Sequence, residues 1–255
     1  MNTNAKIAVL GAGAWGSALL IHLTKFTQNI SWWSYSVSQV QEIKYSGYNN
    51  KYLLNIKIPS FVQITHNLEI AIKDAQLILC VVPSHAFINI VKNLQTYINK
   101  NSIFLWGTKG LVKYNHQNVF LSNITDKFLS NNKTAVLSGP SFAKELVQEK
   151  ATAVVIASKK TEIFDSLIPV FNHHNFRTYF SKDIIGVQLG GALKNVYAIA
   201  SGISDGLNLG SNARCALITR SLVELQSLAK KLNIPYNTLM GLAGLGDLLL
   251  TCTDN

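Results

Sequence analysis

Acidic residues are scarce in this sequence: thirteen Asp and Glu stand against twenty-three Lys and Arg in 255 residues, a formal net charge of +10. Arginine is scarcer still, with only Arg177, Arg214 and Arg220, and the lysines are scattered without a dense run. A nucleic-acid binder concentrates its cations in a patch or carries a finger, basic zipper or aromatic RNA-binding motif, so nucleic acid is excluded as a partner and an anionic small molecule stays open. The three cysteines, Cys80, Cys215 and Cys252, are odd in number and share no CxxC spacing. That excludes a disulfide framework and a zinc site and fits a reducing compartment. No stretch approaches the eighteen apolar residues of a membrane span, and the densest run, residues 77–82, is closed by Pro83. Residues 7–21 carry no charge and follow Lys6, as in a secretory core, but three glycines in turn-forming positions argue against export. A soluble, cytoplasmic protein is expected. What is plentiful is apolar side chain, 48% of the total, enough for a substantial core and incompatible with disorder or a collagen-like repeat.

The first part of the chain alternates short β-branched runs with longer helical patterns, as a parallel sheet with crossover helices requires. Strands are expected near 6–10, 30–34, 61–65, 76–82, 102–107, 133–138, 151–157 and 176–180. Helices are expected near 14–27, 67–73, 84–98, 117–128, 141–149 and 160–172. After Asp183 the strand-like alternation gives way to helical spacing rich in Gly and Ala, through Leu232. The expected fold class is therefore α/β: a Rossmann-type doubly wound sheet over 1–182, then an all-helical domain over 183–255. Pro235 should start a shorter element, and residues 241–246 should break the chain before Asp247. Most of the six histidines are expected at the surface, and no HExxH or His/Cys cluster supports a metal.

Gly11, Gly13 and Gly16 form GxGxxG directly after the first strand and at the opening of the first helix. The first glycine permits the tight turn, the second lets the backbone approach a pyrophosphate, and the third lets the helix press on the strand. Free N–H groups at the helix start favour an anion. The acid that would take the ribose 2′-hydroxyl of NAD about twenty residues on is missing. Ser34 and Ser36 stand there instead, the first acid is Glu42, and no arginine is present to hold a 2′-phosphate. NAD and NADP both stay open.

Six separated motifs then converge: GAGAWG at 11–16, VPSHAF at 82–87, WGTKGL at 106–111, SGPSFAKE at 138–145, GGALKNVYAIASG at 190–202 and GLAGLGDLLLTCT at 241–253. In this order they resemble the bacterial NAD(P)-dependent glycerol-3-phosphate dehydrogenases along the whole chain. The resemblance implies reversible hydride transfer between a nicotinamide and C2 of dihydroxyacetone phosphate, giving sn-glycerol 3-phosphate for phospholipid synthesis. It implies Lys194 as the proton-delivering group, where a lone helical lysine would otherwise be a solvated charge. Lys109 would face both substrate and cofactor. Gly139 and Ser141 would hold the substrate from a strand-to-helix turn, a place where an ordinary N-cap is the competing reading. Asp247 would orient the Lys194 amine, its alternative being an N-cap before residues 248–250. Asn195 and Thr251 match further pocket positions. Ala14, Trp15 and Ala143 join Gly11, Gly13, Gly16, Ser34 and Lys109 as cofactor positions, although packing is the default for a Trp or an Ala. A phosphorylated small molecule is the implied partner, with homodimerisation admitted.

Family members continue past the TCT segment into a Ser-Arg-Asn stretch, whose Arg serves the substrate phosphate, and into further helices. The expectation is that this 255-residue chain is truncated relative to them and impaired in activity. Two other readings stay open at this point: a Rossmann dehydrogenase acting on a 3-hydroxy acid, and a nucleotide-binding remnant without turnover.

Overall fold

The computed structural model describes residues 1–253; Asp254 and Asn255, the end of the expected helical domain, lie outside them. In chain order the strands are β1 (Ile7–Leu10), β2 (Ile30–Trp33), β3 (Gln63–Thr65), β4 (Leu77–Cys80), β5 (Ile103–Trp106), β6 (Leu111–Tyr114), β7 (Gln117–Phe120), β8 (Lys133–Ser138), β9 (Thr152–Ala157) and β10 (Phe176–Ser181). Eight of them form one sheet in the order β10-β9-β8-β5-β4-β1-β2-β3. Every pairing in it is parallel except β8 with β9. Strand order reverses beside β1, between β4 and β2, which opens a crevice at the carboxyl ends where such sheets take ligands.

Helices α1 (Ala14–Leu23), α2 (Val37–Ser46), α3 (Leu68–Ile72), α4 (Ser84–Tyr97), α5 (Leu121–Phe128), α6 (Ala143–Val147) and α7 (Ile163–Phe171) flank the sheet. Successive strand residues point to opposite faces, and the core divides accordingly. Ile7 and Val9 of β1 join Leu19 and Leu20 of α1 and Leu167 of α7 in one cluster. Ala8 and Leu10 join Phe87 and Val91 of α4 and Phe104 and Trp106 of β5 in the other. Because both faces are covered, these strands read as continuous apolar runs, and each such large side chain contributes about 1.5–3 kcal/mol on burial.

The chain then turns all-helical: α8 (Ile184–Gly206), α9 (Gly210–Lys231), α10 (Tyr236–Met240), a π-helical turn (Leu242–Gly246) and α11 (Asp247–Thr253). Leu189, Tyr197, Ile218, Leu225, Leu239 and Leu248 form a third cluster that binds these helices together. Two glycines set how closely they approach. A Cβ at Gly190 of α8 would lie 2.2 Å from the Ala243 carbonyl oxygen, and one at Gly244 would lie 2.0 Å from that of Leu239.

Several expectations are corrected. The helix expected over 117–128 begins only at Leu121, because β6 and β7 form an antiparallel hairpin around Asn115 and His116, both at positive φ. Helix α2 was not expected; it buries only Val40 and Ile43, too little to leave an apolar period. The helix expected to open at Ser141 starts at Ala143 after Phe142, and Ser141 turns its hydroxyl to the Gly139 carbonyl oxygen at 3.0 Å, so the N-cap reading fails. Residues 241–246 do not break the chain: the close seat against α8 holds them as the π-helical turn that leads into α11. Four of the six histidines, His66, His85, His116 and His174, are exposed as expected, while His22 is buried and stacks on His173 with ring centroids 4.0 Å apart.

Candidate active site

The glycine-rich turn lies on the crevice. Gly11 has φ +118°, and a Cβ there would meet the Val81 carbonyl oxygen at 2.8 Å; at Gly16 a Cβ would lie 2.1 Å from the Gly11 oxygen. Both are glycine for close packing of turn, helix and β4. At Gly13 a Cβ would meet nothing within 4 Å, so this backbone is open towards the cleft. A cavity of about 680 Å³ runs from here, lined by Gly11, Gly13, Ala14, Trp15, Gly16 and Ser34 at one side and by Gly107, Thr108 and Lys109 at the other. Open glycine backbone at the start of α1, facing a cavity of that size, fits the pyrophosphate of a dinucleotide. Ala143 is not part of this wall; it packs, like Trp15, against the core cluster beneath the sheet.

At the Lys109 end three distant segments meet. Asp247, fully buried at the start of α11, accepts from Lys194 Nζ at 2.6 Å through one oxygen and from the Lys109 amine through the other. Lys194 also donates to Thr251 Oγ1 at 3.0 Å, and Thr251 Oγ1 donates to the Asp247 carbonyl at 2.7 Å. A carboxylate without water is tolerable only when paired and hydrogen-bonded, and here both oxygens are satisfied. Gly191 of α8 keeps this approach possible: a Cβ there would come within 2.9 Å of Ser138 Oγ and 3.5 Å of the Lys109 stem.

Two amines against one carboxylate leave the cluster electropositive. Desolvation brings the Lys109 amine down to about 8 from its ordinary 10.5; Lys194 pushes the same way and Asp247 opposes it. Lys109 also points at the Gly139 carbonyl oxygen, 3.4 Å away. Gly139 has φ +136°, and a Cβ there would press on Val154 Cα at 3.0 Å, so the turn after β8 requires glycine.

The structure thus brings together Lys109, Gly139, Ser141, Lys194, Asp247 and Thr251. Asn195 is exposed on α8 and does not join the hydrogen-bonded cluster. Ser34 lines the cleft with its hydroxyl engaged by Gln39. Sequence reasoning missed Gln39 and Asn49, whose side-chain amides donate to the Ala12 carbonyl oxygen of the glycine turn; no sequence signal marks either. Among the described residues no group of three or more His, Cys, Asp or Glu could hold a metal ion, and no helix is long and apolar enough to cross a membrane.

Comparison with known proteins finds relatives along nearly the whole chain. The family model for the N-terminus of NAD-dependent glycerol-3-phosphate dehydrogenase matches residues 6–164, and that for the C-terminus matches 183–255. A glycerol-3-phosphate dehydrogenase [NAD(P)+] of Coxiella burnetii is 43% identical over 249 residues, covering 98% of this chain and 74% of that protein. One from Colwellia psychrerythraea is 43% identical over 257 residues, covering 100% and 76%. The crystal structure of the Coxiella burnetii glycerol-3-phosphate dehydrogenase superposes with a TM-score of 0.94 at 43% identity, covering 99% of this chain and 77% of that one. With both halves matched in order and relatives 43% identical over nearly the whole chain, the chain belongs to the NAD-dependent glycerol-3-phosphate dehydrogenase family.

Proposed function

We propose that this protein is an NAD(P)-dependent oxidoreductase that reduces dihydroxyacetone phosphate to sn-glycerol 3-phosphate, with Lys194 as the proton donor. The observation that carries the reading is continuity: the cleft that begins at Gly13 ends at Lys109, and Lys109 shares the Asp247 carboxylate with Lys194. Residues 1–182 hold the dinucleotide and residues 183–255 close the substrate side. When bound, the reduced nicotinamide supplies a hydride to the carbonyl carbon. As that carbon gains the hydride, negative charge develops on its oxygen, and the Lys194 ammonium stabilises it and gives up a proton there. The amine then recovers a proton from solvent. Asp247 fixes the amine's direction, and Thr251 takes a second of its hydrogens.

Lys109 adds positive charge where a phosphate ester and the cofactor converge. The Gly139 turn and the Ser141 hydroxyl border the same space and are assigned to the substrate. Gly11, Gly13, Ala14, Trp15 and Gly16, with Ser34 across the cleft, are assigned to the cofactor. Asn195 is assigned to the substrate on motif alone. The free thiols of Cys80, Cys215 and Cys252 support a reducing compartment such as the cytoplasm. The test is direct: dihydroxyacetone phosphate should oxidise the reduced cofactor and remove its near-ultraviolet absorbance, and Lys194→Ala should abolish that change. A 3-hydroxy acid that reduces the oxidised cofactor faster than glycerol 3-phosphate does would redirect the assignment.

A further inference from the structure

The middle of the sheet is covered on both faces, but its β9–β10 corner is not. Ala153 and Val155 of β9 are only half-buried and Tyr179 of β10 is 57% exposed. These three form one wall of an open cavity of about 540 Å³, and Asn237 and Thr238 of α10 with Leu242 of the π-helical turn form the other. The cavity shares no lining residue with the dinucleotide cleft, and the proposed chemistry does not use it. Its volume lies in the range of small-molecule sites.

The lining decides what can enter. None of its side chains is charged, so an ion would give up water without gaining a counter-charge. Ala153, Val155 and Leu242 offer apolar surface, while Asn237 and Thr238 supply an amide and a hydroxyl able to donate and accept. Addition of another strand is blocked at this edge of the sheet: the Thr178 N–H of β10 is taken by Asn172 Oδ1 at 2.7 Å, and Arg177 stands exposed beside it. Both walls back onto the proposed active site. Strand β9 presses on the Gly139 turn, where a Cβ would lie 3.0 Å from Val154 Cα and 3.3 Å from the Ala153 carbonyl oxygen. The π-helical turn, seated against Gly190 through the Ala243 carbonyl, ends immediately before Asp247. A molecule wedged between these walls therefore bears on the supports of both Gly139 and Asp247.

We propose that this cavity is an effector site for a neutral amphiphile, a molecule with an aliphatic body and a hydroxyl head, and that its occupancy steadies the turn that delivers Asp247. Binding and turn motion are both read without turnover, so the test stands apart from the dehydrogenase reading. N-phenylnaphthylamine, a neutral fluorophore that brightens in apolar surroundings, is titrated against the full chain and then displaced by decanol or by decanoate. Decanol should displace it about tenfold more readily, since only decanoate carries a charge. Val155→Gln and, at an exposed position that the fold does not need, Tyr179→Ser should each weaken decanol about three- to tenfold. NAD⁺ and Lys194→Ala should leave probe binding unchanged. Backbone hydrogen exchange over residues 241–247 should slow with decanol in the wild type and not in Val155→Gln. No binding of probe or decanol, equal displacement by decanoate, displacement by NAD⁺, wild-type affinity in both variants, or unaltered exchange over 241–247 would overturn the proposal. So would a wild-type dimer in sedimentation that Tyr179→Ser separates, which would make this face an interface between copies.

Discussion

Lys194 Nζ donates to Asp247 Oδ1 at 2.6 Å, and the same carboxylate, fully buried, also holds Lys109. The lysine assigned to proton delivery is thus aimed by a buried group that it shares with Lys109. Replacing Lys194 by Ala should lower kcat by about 10²–10⁴-fold while the dissociation constant for NADH stays within about twofold of wild type. Titration and stopped-flow absorbance on one preparation separate the two effects; equal loss of binding and rate would assign Lys194 to cofactor binding instead.

Asp247→Ala removes the shared counter-ion and leaves two partly buried amines facing each other. The expected cost is about 3–5 kcal/mol of unfolding free energy, the range for breaking a buried pair on one side. Urea unfolding measures it. Combining Asp247→Ala with Lys109→Met should recover part of the loss, whereas independent additive effects would mean that the two side chains do not interact.

Gly13 and Gly16 should behave oppositely. Since a Cβ at 13 meets nothing within 4 Å, Gly13→Ala should keep the thermal midpoint and weaken dinucleotide binding. A Cβ at 16 would lie 2.1 Å from the Gly11 oxygen, so Gly16→Ala should lower stability by about 1–3 kcal/mol, as overpacking does. Calorimetric melts with and without NADH distinguish these outcomes.

Two buried bases make stability depend on pH in separate windows. Burial, reinforced by His173, pushes His22 down to about 3, below its unfolded value near 6.5. Between those values the unfolded chain binds the extra proton, so stability is fully present above about pH 6.5 and falls as the medium is acidified. Lys109, lowered to about 8, is also depressed relative to the unfolded chain. Its penalty is therefore relieved as pH rises from about 8 to about 10.5. Denaturant midpoints should climb across both windows in the wild type; His22→Phe should flatten the first and Lys109→Met the second. An unchanged slope in either variant would show that another group titrates there.

Much of the fold was legible because buried parallel strands leave unbroken apolar runs, as in 77–80, and because glycines mark the turns between them. The hairpin of β6 and β7 was not: Val119, Phe120 and Leu121 merge into the period of α5, although Asn115 was a turn signal. Helix α2 buries two side chains and has almost no pattern to read. At the site, Lys109, Lys194 and Asp247 were reached through the family resemblance, since no spacing rule connects residues on three separate segments. Gln39 and Asn49 were illegible for a different reason. Each is an uncharged amide whose role depends on which oxygen the folded backbone turns towards it, and that information is absent until the glycine turn and α2 come together.

The docking of the π-helical turn into the notch at Gly190 also has a temporal meaning. Position 247 follows 109 and 194 along the chain, so a growing polypeptide exposes both amines before their shared carboxylate has been synthesised. Translation therefore completes the sheet and both amines first, and the two lysines gain their common partner only when the later coil takes its seat.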